Sequence, residues 1–79
     1  MTKKEYILDS LIDDDEAFTQ ILEYFEFVSV DISEEELNLL LNEMINEGLI
    51  VINKQWTNEK NEFPYSLTKK GKELWAKMK

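Results

Sequence analysis

The stretch ISEEELNLLLNEMINEGLIVI, residues 32–52, contains a complete helix and the strand that follows it. Ser33 is placed to cap the helix, with Glu36 three residues on to return a bond to the cap's own N–H. Ile32 before the cap and Leu37 at the fourth helical position form a hydrophobic staple that fixes the entry angle. Leu37, Leu40, Leu41 and Met44 recur at the helical period and give one inward-facing stripe. Gly48 supplies a left-handed stop, and from Leu49 the chain changes to a β-branched, strand-like run.

Outward from this segment, the same capping signature recurs twice on the N-terminal side. Thr2 with Glu5 and Asp13 with Glu16 each set a capping side chain three residues before a glutamate, so a helix is predicted to start at each. Their apolar stripes are Tyr6, Ile7, Leu8, Leu11 and Ile12, then Phe18, Ile21, Leu22 and Phe25. On the C-terminal side, LIVINKQW (49–56) and FPYSL (63–67) read as two strands joined by the polar TNEKNE (57–62), a hairpin with a flexible tip. Pro64 cannot donate to a ladder, which confines the second run to an edge or a strand start. Thr68 can cap a last helix carrying Leu74, Trp75 and Met78. The expected fold class is mainly α with a small β-hairpin, in the order helix, helix, helix, strand, strand, helix. Its 79 residues form one expected domain, 1–79, with a modest core.

That order, with LLNEMINEGLIVI (40–52) followed by YSLTKKGKELW (65–75), resembles the winged helix-turn-helix family of bacterial regulators. The resemblance spans nearly the whole chain. It rests on the Gly48-Leu49-Ile50 step from third helix to first wing strand and on the Leu67-to-Gly71 step into the last helix. Gly48 permits a reversal at positive φ, and Gly71 removes a Cβ where the last helix packs closely. The resemblance implies a winged-helix fold. Its ligand is left open, because this frame serves DNA regulators and protein-interaction modules alike.

Composition narrows the chemistry. There is no cysteine and no histidine, so no thiolate or imidazole site can form, and no Gly-rich phosphate loop is present. An enzyme is not expected, and neither is a cofactor. The acids at 13–16 lack the alternating spacing and central glycine of a calcium loop, so they read as helix capping, with no metal. MTKKEY at the N-terminus has no apolar run, which leads to an expectation of a cytoplasmic protein without a membrane partner.

Charge is the informative feature. The net charge is −8, and from Glu5 to Asn53 there are fourteen acids and no base. In the winged-helix regulators that the chain resembles, the third helix enters the major groove and lysines or arginines around it hold phosphates. Here the outward arc carries Glu35, Leu39, Asn42 and Asn46, with Asn38 and Glu43 at its borders. One carboxylate about 5 Å from a phosphate costs roughly 0.8 kcal/mol even in water's dielectric, and helices two and three carry no base to offset it.

Two functions follow. The first is an acidic regulatory module that binds a protein partner through Glu35, Leu39, Asn42, Glu43 and Asn46, with imitation of DNA as a special case. The alternative is a DNA-binding transcription regulator, acting as a dimer. It would read adenine edges with Asn38, Asn42 and Asn46 and hold phosphates through Lys54 and Lys60 on the wing and Lys69 and Lys70 beyond it. The acidic helix places the protein partner ahead of DNA at this stage. Trp56 and Trp75 are expected to be mostly buried, and the last helix, with Trp75, is the candidate seam of a homodimer.

Overall fold

The computed structural model describes residues 1–78. Four helices and a hairpin follow one another as α1 (Lys3–Leu11), α2 (Phe18–Phe27), α3 (Glu34–Asn46), β1 (Ile50–Ile52), β2 (Tyr65–Leu67) and α4 (Lys69–Lys77). The strands are antiparallel, with Ile50 opposite Leu67 and Ile52 opposite Tyr65. Ile7, Leu8, Leu11, Ile21, Phe25, Leu37, Leu41, Met44, Leu49, Ile50 and Leu67 form one core, fed by all three N-terminal helices and both strands.

Local chemistry accounts for most boundaries. Thr2 closes a full capping box with Glu5: its Oγ1 accepts from the Glu5 N–H at 3.2 Å, and the Glu5 carboxylate accepts from the Thr2 N–H at 2.6 Å. Ser33 accepts from the Glu36 N–H at 3.0 Å and Thr68 from the Gly71 N–H at 3.1 Å, which starts α3 and α4 where the sequence placed them. Gly48 ends α3 at φ +76°. Helix α2 ends without glycine: Ser29 takes φ +59°, and the Val30 N–H reaches back to the Phe25 carbonyl at 3.0 Å. A Cβ on Gly71 would overlap the Leu49 carbonyl oxygen, so α4 crosses the strand entry at a separation that only glycine permits.

Four expectations are corrected. The acids at 13–16 do not begin a helix. Glu16 instead bridges Tyr65, its N–H to the Tyr65 carbonyl at 3.3 Å and its carbonyl from the Tyr65 N–H at 2.8 Å, which extends the hairpin by one residue on the far side of β2. Helix α2 then starts at Phe18 after Ala17, whose N–H is satisfied by the Gln20 side chain at 2.8 Å. On α3 the inward row is Leu37, Leu41 and Met44; Leu40 only packs against the core's edge. Trp56 is 43% exposed, and Leu74 also faces outward, while Trp75 is half-buried against α1. The segment between the strands is not a free tip. Asn58 Oδ1 accepts from the N–H groups of Lys60 and Glu62, Asn61 turns at φ +61°, and Thr19 on α2 donates to the Glu62 carboxylate at 3.0 Å.

Candidate functional site

The outward face of α3 is the surface to which the sequence assigned function. Glu35, Asn38, Leu39, Asn42, Glu43 and Asn46 are all exposed on it, with Leu39 60% exposed. Residues four apart lie one above the other on a helix, so Asn38, Asn42 and Asn46 form a continuous amide row.

The acids of this helix are not left to themselves. Lys3 at the start of α1 donates to both carboxylate oxygens of Glu36, at 2.8 Å each. Its neighbour Lys4 lies 3.1 Å from Glu43 and bonds both oxygens of Glu47, at 3.1 and 3.3 Å. Glu43 first, and then Glu47, raise the Lys4 pKa above its usual value through their contacts with the ammonium, which is held charged. Lys70 donates to the Glu47 main-chain carbonyl at 2.8 Å and meets the negative end of α3. Three of the five carboxylates on and just after α3 are therefore paired with two lysines of α1, which offset two of the five negative charges. Among the described residues Glu34 and Glu35, in the first turn, have no ion-pair partner. Most of the residual negative charge sits at the first turn, with a smaller remainder where Glu43 and Glu47 share Lys4.

That acidic end borders a groove of about 470 Å³ between α3 and the hairpin, walled by Phe18, Ile52, Phe63 and Tyr65, with Asn38 on its edge. Glu62 is its third carboxylate. Burial pushes the Glu62 pKa up, but hydrogen bonds from Asn58 and Thr19 outweigh this and leave it below the usual value, so the group stays ionised. Burial raises the Tyr65 hydroxyl, which remains neutral. Lys54 and Lys60 lie exposed in the segment joining the strands and Lys69 lies exposed at the start of α4; Lys79 is outside the described residues.

A second polar cluster has structural character. The Asp9 carboxylate accepts from the Tyr24 hydroxyl at 2.5 Å and the Trp75 indole N–H at 3.1 Å, which ties α1, α2 and α4 together. Burial and this bond drive the Tyr24 pKa upward. Trp75 is thereby committed to an intramolecular contact. Among the described residues no group of His, Cys, Asp or Glu is arranged to hold a metal, and no helix is long and apolar enough to cross a membrane.

No protein-family model and no curated protein sequence matches the chain. Solved structures do. A PadR family transcription regulator from hypervirulent Clostridium difficile R20291 superposes with a TM-score of 0.82 at 22% identity, over 96% of this chain and 81% of that one. Bacillus subtilis PadR in complex with operator DNA gives 0.78 at 23% identity, over 95% of this chain and 44% of that one. Diamide-treated YodB from B. subtilis gives 0.76 at 26%, over 96% and 70%. The fold is a winged helix. Its wing is the β1–β2 hairpin, and α3 occupies the position of the recognition helix. The chain spans under half the length of the operator-bound PadR that it resembles.

Sequence reasoning identified the outward residues of α3 but missed Lys3, Lys4, Asp9, Thr19 and Glu62. The lysine partners lie 33 and 43 residues away along the chain, and no local spacing announces a pair at that separation.

Proposed function

We propose that this winged-helix chain is a non-enzymatic DNA-binding transcription regulator. It reads base edges with Asn38, Asn42 and Asn46 of α3 and steadies itself on phosphates through Lys54 and Lys60 of the wing and Lys69 of α4. The observation that carries this reading is the pairing of Lys3 and Lys4 with Glu36, Glu43 and Glu47, which offsets two of the five acidic charges on and just after α3 and so lowers the electrostatic cost of bringing this helix to DNA. The likeness to B. subtilis PadR, solved with operator DNA, supports it. Lys70 has a smaller role, since its ammonium already meets the end of α3. An asparagine bidentate to adenine contributes roughly 1–3 kcal/mol of discrimination.

Selection from random duplexes followed by titration at low and moderate salt tests the proposal. A selected sequence should bind with steep salt dependence, and Asn42→Ala should relax base preference at one position while leaving the salt slope unchanged. Absence of binding at low salt would overturn it.

One observation favours a second reading, a protein-interaction module. Leu39 is an exposed apolar residue near the unpaired Glu35, with Asn42, Glu43 and Asn46 around it, a small anchor with a polar rim. Leu39→Lys separates the two readings. The new charge should strengthen nonspecific DNA binding on the first and abolish partner capture on the second, with fold stability within about 0.5 kcal/mol in both cases.

A further inference from the structure

The groove between α3 and the wing has a chemistry that suits neither phosphate nor a neutral apolar ligand. Its walls are aromatic, Phe18, Phe63 and Tyr65, and its rim holds three carboxylates, Glu34, Glu35 and Glu62. No lysine lines it. Glu62 is fixed in place by the Thr19 hydroxyl at 3.0 Å and the Asn58 amide at 2.8 Å, so one carboxylate is preorganised, while Glu34 and Glu35 stand unpaired among the described residues. The groove is open to solvent and about 470 Å³ in volume, so a ligand would lie along it partly exposed. Aromatic faces attract cations through their quadrupoles, and carboxylates attract them at longer range. An anion or a phosphate backbone would be repelled from the same place.

We infer that this groove binds a small lipophilic organic cation, with the aromatic walls taking the apolar body and Glu34, Glu35 and Glu62 surrounding the charge. The inference does not rest on the DNA reading, although Asn38, which that reading assigns to base edges, also lines the groove. Occupancy would place a cation between the recognition helix and the wing.

The test is an amide NMR titration of the full chain with tetraphenylphosphonium, against tetraphenylborate as an anion of the same shape. Tetraphenylphosphonium should bind with a dissociation constant below about 1 mM. Shifts should be concentrated on α3's first turn and on residues 62–65, and tetraphenylborate should give none there. The double variant Glu34→Gln/Glu35→Gln should weaken binding about fivefold, as two exposed charge contacts allow. Phe63→Ala should weaken it while leaving the charge unchanged; all three positions are exposed, and a thermal melt verifies folding. Shifts scattered over all acidic surfaces, or equal binding by the variants, would show mere counterion attraction and overturn the inference. So would displacement of the probe's shifts to Trp56 and the acids at 13–16. A lysine-rich peptide that binds the groove when tetraphenylphosphonium does not would assign it to a protein segment instead.

Discussion

Lys3 on α1 grips Glu36 on α3 through both carboxylate oxygens, at 2.8 Å each, and so takes from Ser33 the glutamate that would otherwise complete its capping box. Ser33 still accepts from the Glu36 N–H, so the helix start survives with half the box. An exposed ion pair contributes little stability, at most about 1 kcal/mol, so its main consequence is electrostatic: it offsets one of the acidic charges of α3.

The adjacent Lys4 tests that consequence. Lys4→Gln should leave the melting temperature nearly unchanged, because the pair is exposed. It should nevertheless weaken DNA binding, since Glu43 and Glu47 would then face phosphate unneutralised. Titration of wild type and variant at one salt concentration checks this. Equal affinity would remove the carrying observation of the DNA reading.

Core facing on α3 is tested by two neighbouring leucines. Leu41→Ala should cost roughly 2–5 kcal/mol, as expected for a fully buried leucine, whereas Leu40→Ala should cost clearly less because Leu40 is only partly covered. Urea denaturation of both variants gives the comparison; equal losses would mean that the helix is rotated from the orientation described.

Gly71→Ala opposes two effects. Alanine favours a helix over glycine by about 1 kcal/mol, but its methyl would strike the Leu49 carbonyl, a backbone atom that cannot swing aside. The overlap should win, with net destabilisation of roughly 1–3 kcal/mol by chemical denaturation. A stabilised variant would show that α4 does not sit against the strand entry.

Glu16 provides a pH dependence. Burial, then Asp14, Glu23 and Asp15, raise its pKa above 4.5 in the folded chain. A carboxyl whose pKa is raised by folding contributes stability that is fully present below its unfolded pKa and is lost as pH rises through the folded value. Glu16→Gln should therefore stabilise the protein at pH 7 and have little effect near pH 4. Thermal melts at the two pH values check the difference; an equal effect at both would mean that the shift is not electrostatic.

What the sequence determined by itself was local. The caps at Thr2, Ser33 and Thr68 and the stop at Gly48 are set by chemistry within three or four residues, so their spacing was readable, as was the family resemblance that they compose. The second strand is shorter than the run read for it at 63–67 and begins at Tyr65. The outward row of Asn38, Leu39, Asn42 and Asn46 follows from helical period alone. Tertiary structure decided the rest. The acids at 13–16 have the pattern of a helix start, but Tyr65 captures the N–H and carbonyl of Glu16, and Asn53 donates to Asp15 at 3.0 Å, so the segment bends and is tied to the wing. The charge of α3 could not be judged from its own residues, because its counterions come from the start of α1, more than thirty residues away. The groove exists only where the wing folds back through Thr19 and Glu62. Hydrogen bonds within one turn are encoded by spacing, whereas ion pairs and grooves depend on which distant surfaces the core brings together.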